Sequence, residues 1–126
     1  MLARYDVVVI GAGPAGEGAA MKLVKEGRRV AVIDQLGEVG GNCAHVGTIP
    51  SKALRQTVYN LMRFRRDPVL SRMAELRSVP LSQVLARAHK IIETQVSTHH
   101  RFFERNDVDL YFGEARFEDA NTVSVL

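Results

Sequence analysis

Residues 5–16 read Tyr5-Asp6-Val7-Val8-Val9-Ile10-Gly11-Ala12-Gly13-Pro14-Ala15-Gly16, a β-branched apolar run that breaks into three glycines at G-x-G-x-x-G spacing. Tyr5–Ile10 has the composition of a strand buried on both faces, as in a parallel sheet. Pro14 suits the first turn of a helix, where its missing N–H would have no partner anyway. That helix is expected from about Pro14 to Glu26, with Gly27 as its stop. Arg29–Ile33 reads as a second buried strand. Strand, glycine turn, helix and strand within about 30 residues make a β–α–β unit, whose crossover is right-handed.

Each glycine has a mechanical reason. Gly11 permits the tight turn out of the strand, Gly13 lets a pyrophosphate approach the backbone, and Gly16 lets the helix pack closely on the strand. The unpaired N–H groups of the helix and its dipole then meet the negative charge. Asp34 stands 18 residues after Gly16, at the end of the second strand. A carboxylate there accepts hydrogen bonds from an adenosine ribose and repels a 2′-phosphate. The fingerprint marks a dinucleotide without choosing one, since NAD and FAD both use it.

Working outward, nine of the ten glycines lie between residues 11 and 47, so the first third is built for close approach to the backbone. Gln35–Val46 reads as a glycine-rich loop. A helix follows from about Pro50 to Arg66, with Leu54, Val58, Leu61 and Met62 along one stripe and Pro68 ending it. A longer helix is expected from about Pro80 to Arg105. Its apolar positions, Leu81, Val84, Leu85, Ala88, Ile91, Ile92, Val96, Phe102 and Phe103, recur at three- and four-residue steps. Val108–Phe112 reads as a further parallel strand. Ala115–Phe117 and Thr122–Leu126 read as short antiparallel strands around a turn at Asp119–Asn121. The expected class is therefore α/β: a Rossmann-like βαβ domain with a parallel sheet, a long helical pair and the start of an antiparallel β-meander. Ending in mid-meander, the chain reads as truncated.

Composition bounds the function. With 126 residues, 46% hydrophobic and 25% charged, the chain is one globular domain. No apolar run nears the ~20 residues of a membrane helix, and the N-terminal run is too short for a secretory signal. The single cysteine, Cys43, excludes an intrachain disulfide. Together these point to a cytoplasmic protein. The net charge of +3 is weakly basic. Arg55, Arg63, Arg65, Arg66, Arg72 and Arg77 concentrate in the middle third, but no nucleic-acid recognition motif accompanies them, and they read as solvated surface. His89, His99 and His100 lack a carboxylate or thiol at ligand spacing, so no metal site is expected. His99 falls on the apolar stripe and reads as a partly buried helix residue; His45 reads as loop structure.

The stretch Gly40-Gly41-Asn42-Cys43-Ala44-His45-Val46-Gly47-Thr48-Ile49-Pro50-Ser51-Lys52 resembles the GGTCLNVGCIPSK motif of the pyridine nucleotide–disulfide oxidoreductase family. The Gly113-Glu114-Ala115-Arg116-Phe117 segment resembles that family's later turn, whose backbone reaches the adenine of FAD. The likeness covers essentially the whole chain and implies an N-terminal FAD-binding domain spanning residues 1–126. By this resemblance Gly11, Gly13, Pro14, Ala15, Gly16, Asp34 and Gln35 hold the FAD pyrophosphate and ribose. Gly40, Gly41, Asn42, Cys43 and Gly47 line the flavin-side loop, and Gly113, Glu114 and Ala115 meet the adenine. Thr48 would sit near the isoalloxazine. Lys52 would stand near flavin N5, where a cation stabilises negative charge on the reduced ring.

One departure matters. The family's redox disulfide joins the positions of Cys43 and Thr48, and threonine cannot form it. Dithiol relay chemistry is thereby disfavoured, and Cys43 reads as a packing residue. The run from Cys43 through Thr48 to Arg55, with Glu17-Gly18-Ala19-Ala20-Met21 and Phe103-Glu104-Arg105-Asn106, resembles the family's soluble transhydrogenase branch. That resemblance implies hydride transfer from NADPH by way of FAD to NAD, with NAD(H) and NADP(H) as substrates of the complete protein. The alternatives are another thiol-independent flavoprotein, an oxidase or quinone reductase, and a non-catalytic dinucleotide-binding fragment. It also implies NAD(P)-binding and dimerisation domains that this chain lacks, a homo-oligomer when complete, and no activity of the 126 residues alone.

Overall fold

A computed structural model describes residues 2–73 and 79–126. In chain order the elements are β1 (Val7–Ile10), α1 (Pro14–Lys25), β2 (Val30–Asp34), α2 (Gly41–His45), α3 (Thr48–Arg66), α4 (Leu70–Met73), α5 (Leu81–Glu104), β3 (Asp109–Phe112), β4 (Ala115–Phe117) and β5 (Val123–Val125). The first three strands form a parallel sheet in the order β1-β2-β3, with Val9 opposite Val32 and Val32 opposite Leu110. β4 and β5 form a separate antiparallel pair, as expected from the turn at Asp119–Asn121. Gly27 stops α1 in the left-handed region, at φ +76°.

Every residue of β2 is buried, which its central place in the sheet explains. Val30 and Val32 meet Ala12, Ala20, Met21, Val39, Phe103 and Val108 in one core, and Val9, Val96 and Leu110 pack against it. Two right-handed crossovers running in one direction, β1 to β2 to β3, place their helices on a single face. α1 packs on β1 and β2, and α5 on β3.

The other face explains a correction. Tyr5–Ile10 is not a strand buried on both sides: ordered pairing covers Val7–Ile10, Val8 is 37% exposed and Ile10 51%. A run of valines shows that a strand can be buried twice, not that two layers cover it. α3 departs similarly. Its buried residues are Ala53 and Thr57, whereas Val58 and Met62 of the expected stripe are exposed and Leu54 and Leu61 half-buried. The small residues face inward because α3 lies close against α5, where Val84 and Ala88 are likewise the buried positions. Leu81, Leu85, Ile91 and Phe102 of the α5 stripe remain exposed. The glycine-rich loop is also not all loop, since α2 forms within it. Of the basic cluster, Arg55, Arg63, Arg65, Arg66 and Arg72 are exposed, as expected, and Arg77 lies outside the described residues.

A polar knot closes the amino end of the sheet. The Tyr5 hydroxyl donates to Asp109 Oδ2 at 2.8 Å and lies 2.5 Å from the Tyr111 hydroxyl. Arg29 stacks over the Tyr5 ring at 4.8 Å and lies 3.8 Å from Asp109. Partial burial, then the hydrogen bonds with Tyr111 and Asp109, hold the Tyr5 phenol above its ordinary range. The folded state therefore binds this proton more tightly than the unfolded chain does. Its contribution is full below the ordinary phenol pKa of about 10 and falls as pH rises beyond it. Tyr5→Phe should flatten that alkaline loss in denaturation measured from pH 8 to 11. An unchanged slope would contradict the coupling.

Candidate functional site

The carboxyl ends of β1 and β2 open into a cleft of about 420 Å³ lined by Ile10, Gly11, Gly13, Ile33, Asp34, Gln35, Leu36, Gly41, Asn42, Gly113, Glu114 and Ala115. Open parallel sheets bind ligands at this end, outside the strands. Four separated segments of the sequence meet here: the first glycine turn, the end of β2 with the residues after it, the second glycine turn and the loop after β3.

The first turn is held by its own backbone. Gly11 takes φ +105°, and its N–H donates to the Ile33 carbonyl at 2.7 Å, which ties the turn to the end of β2. Gly13 is the residue before α1 and is extended; no side chain caps this helix. The first-turn N–H groups of α1 have no intrahelical acceptor, so they remain available to an anion. Gly16 lies against the Gly11 carbonyl, too close for any side chain.

The second turn is stitched to the first. Gly40 donates its N–H to the Ala12 carbonyl at 2.8 Å, and its φ of +103° lets the chain enter α2 there. A methyl group on Gly41 would lie 2.9 Å from Gly13 Cα, so the two turns touch backbone to backbone. His45 donates from Nε2 to the Val39 carbonyl at 2.9 Å and pins the far end of α2; it is a helix residue rather than loop. Gly41→Ala is strained twice, by contact and by its φ of +54°. It should destabilise the fold by about 1–3 kcal/mol and weaken dinucleotide binding. Wild-type stability and affinity in the variant would contradict this packing.

Asp34 does more than the sequence suggests. Its carboxylate is buried, and each oxygen already accepts a backbone N–H: Oδ2 from Ala12 at 2.7 Å and Oδ1 from Leu36 at 2.8 Å. The side chain thus fixes the first glycine turn before any ligand arrives. Each oxygen keeps acceptor capacity for a ribose hydroxyl. Gly113, at φ +154°, donates to the Asp34 carbonyl at 2.9 Å and brings Glu114 and Ala115 to the cleft.

The structure therefore gathers Gly11, Gly13, Asp34, Gln35, Gly41, Asn42, Gly113, Glu114 and Ala115 around one space. Pro14, Ala15 and Gly16 stand behind it in α1, and Gly40 behind Gly41. Cys43, Gly47, Thr48 and Lys52 lie beyond the cleft wall, along α2 and the start of α3. Cys43 is half-buried, and Thr48 and Lys52 are exposed. α3 begins at Thr48 rather than Pro50 and, like α1, has no side-chain cap. Ile10, Ile33 and Leu36 also line the cleft without having been singled out. The signal was available: they end or follow the two strands whose carboxyl ends form the mouth.

An elongated anion suits this arrangement. Two helix N-termini offer uncapped donors, two glycine turns leave room where side chains would stand, and a carboxylate sits where a sugar would follow the phosphates. The residues present fit FAD by these features. Among the described residues, no three His, Cys, Asp or Glu side chains group to hold a metal ion, and no helix is long and apolar enough to cross a membrane.

Comparison with known proteins agrees. A family described as pyridine nucleotide-disulphide oxidoreductase matches residues 5–125. The soluble pyridine nucleotide transhydrogenase of Marinomonas sp. (strain MWYL1) is 50% identical over 122 residues, covering 97% of this chain and 26% of that protein. Its namesake in Ectopseudomonas mendocina (strain ymp) is 51% identical over 123 residues, with 98% and 26% covered. The chain thus spans about a quarter of the length of these curated relatives. Among solved structures, the Cu(II) complex of the HOCl-induced flavoprotein disulfide reductase RclA from Escherichia coli superposes with a TM-score of 0.77 at 24% identity. That superposition covers 99% of this chain and 25% of RclA, and it shows the shared fold.

Proposed function

Because this chain belongs to the pyridine nucleotide-disulphide oxidoreductase family, we propose that it is the FAD-binding part of a soluble, cytoplasmic NAD(P) transhydrogenase of the Si-specific type. The complete protein would move hydride from NADPH to NAD without a redox disulfide. The observation that carries this reading is Thr48. It stands where the family resemblance places the second redox cysteine, in a chain half identical to proteins named transhydrogenases.

The roles follow from position. The α1 N-terminus and the Gly11–Gly13 turn bind the pyrophosphate. Asp34 orients the adenosine ribose while bracing the turn, and Gly113–Ala115 close over the adenine. Gly40–Cys43 and Gly47 carry the binding surface toward the flavin ring. Lys52, near the start of α3, holds a positive charge at the flavin end, and Thr48 excludes a thiol from it. When bound, FAD supplies the hydride acceptor and donor between the two pyridine nucleotides. Domains beyond these 126 residues would bind the nicotinamides and join subunits.

The test is made on a protein that carries this segment within a chain of its relatives' length, purified with its flavin. It should transfer hydride from NADPH to an NAD⁺ analogue, followed by absorbance, and should leave small disulfide substrates unreduced. Oxygen or quinone reduction without transfer to the analogue would assign an oxidase or quinone reductase instead.

A further inference from the structure

Glu17 follows Gly16 directly and places a carboxylate in the first turn of α1, which begins one residue after Gly13 of the cleft lining. A negative charge there suits the helix dipole but opposes a second anion at the same end. The side chain is turned away from solvent and meets His99 of α5: Glu17 Oε2 lies 2.5 Å from His99 Nδ1, with both side chains mostly covered. An ionised carboxylate can only accept, so His99 carries the proton on Nδ1 and donates it.

The contact is singular. Among the described residues, it is the one side-chain hydrogen bond from α1 to another element. It spans 82 positions of sequence. His99 stands on α5 between Val96 and Phe103, which pack with Ala20 and Met21 in the core, so its place is fixed by buried neighbours. Gly16 sets how close α1 comes to the β1 turn, and the His99–Glu17 bond fixes how that first turn is rotated.

Resting on the FAD reading above, we propose that His99 is a positioning residue for the dinucleotide pyrophosphate, acting through Glu17. It holds the carboxylate back from the anion and locks the N-terminal turn of α1 in its binding orientation.

The test measures FAD affinity by quenching of flavin fluorescence, and folding by urea denaturation, for the chain and for His99→Ala, His99→Arg, Glu17→Gln and the double variant His99→Ala/Glu17→Gln. His99→Ala should weaken FAD about fivefold or more, the scale of one uncompensated charge near a helix end. His99→Arg, which keeps a hydrogen-bond donor for the Glu17 carboxylate, should stay within about twofold of the unmodified chain. The double variant should regain most of the loss, because the opposing carboxylate is gone. Glu17→Gln alone should bind at least as tightly as the unmodified chain, and it reports even if His99→Ala does not fold. Unchanged affinity in His99→Ala overturns the proposal, as does a loss that neither arginine nor the second substitution relieves. Tenfold weaker binding in a folded Glu17→Gln also overturns it. Failure of the unmodified chain to bind FAD overturns the cofactor reading and this inference with it.

Discussion

Gly16→Ala is expected to abolish the native fold or leave it too weak to hold a dinucleotide, while Gly18→Ala, two residues along the same helix, is expected to be harmless. A methyl group at Gly16 would stand 1.9 Å from the Gly11 carbonyl oxygen and 3.3 Å from a Val9 side-chain carbon. The first partner is backbone, held in place by the bond from Gly11 N–H to Ile33, so it cannot rotate aside. α1 would have to lift off β1, opening the core around Ala20 and Met21 and dispersing the donors at its N-terminus. The cost should exceed about 3 kcal/mol, a large share of the 5–15 kcal/mol that holds a typical domain together. At Gly18 an added methyl meets nothing within 4 Å. There alanine should stabilise the helix by about 0.5–1 kcal/mol through its higher propensity. Urea denaturation of the two variants decides the matter. Equal midpoints would mean that α1 does not approach the turn as closely as described.

Asp34→Ala carries the second largest effect. Removing the carboxylate strands the N–H of Ala12, a fully buried residue, and that of Leu36, which is exposed and can turn to water. One buried unpaired donor costs about 1–3 kcal/mol. The glycine turn would also lose its brace, and the ribose its acceptor. FAD affinity should therefore fall by about 100-fold, the product of two lost hydrogen-bonding contributions. Asp34→Asn should lose less, because its amide oxygen can keep the bond from Ala12 while its NH₂ turns toward the exposed side. Calorimetric titration with FAD, beside urea denaturation, should rank the unmodified chain above Asp34→Asn and that above Asp34→Ala. Equal affinity in all three would remove Asp34 from the site.

These residues also show how far the sequence could be read. Arg29–Ile33 was legible as a buried strand because the apolar run Val30-Ala31-Val32-Ile33 has no break and the central strand of a parallel sheet needs no polar face; the ordered strand is Val30–Asp34. The glycine spacing was legible because only glycine tolerates the contacts found at Gly16 and Gly41. What local pattern cannot carry is which face receives a second layer, so Val8 and Ile10 read as buried and are not. The α3 stripe misled for a related reason: periodicity marks apolar positions, but close packing against α5 selected Ala53 and Thr57 instead. α2 was hidden by glycines that signal a loop, although the left-handed Gly40 is what launches the short helix. The double duty of Asp34 and the bond between Glu17 and His99 depend on backbone and side chains brought together from distant positions, and no local spacing encodes them.

We propose that the two glycine turns, the α1 N-terminus and Asp34 together hold FAD. Titration of the purified 126-residue chain with FAD, followed by the visible flavin spectrum before and after desalting, tests it most directly. Binding should be saturable and one-to-one with a shifted flavin band, kept in Gly18→Ala and lost in Gly16→Ala. A folded chain that retains no flavin, or one that binds equally well with Gly16 replaced, would contradict it.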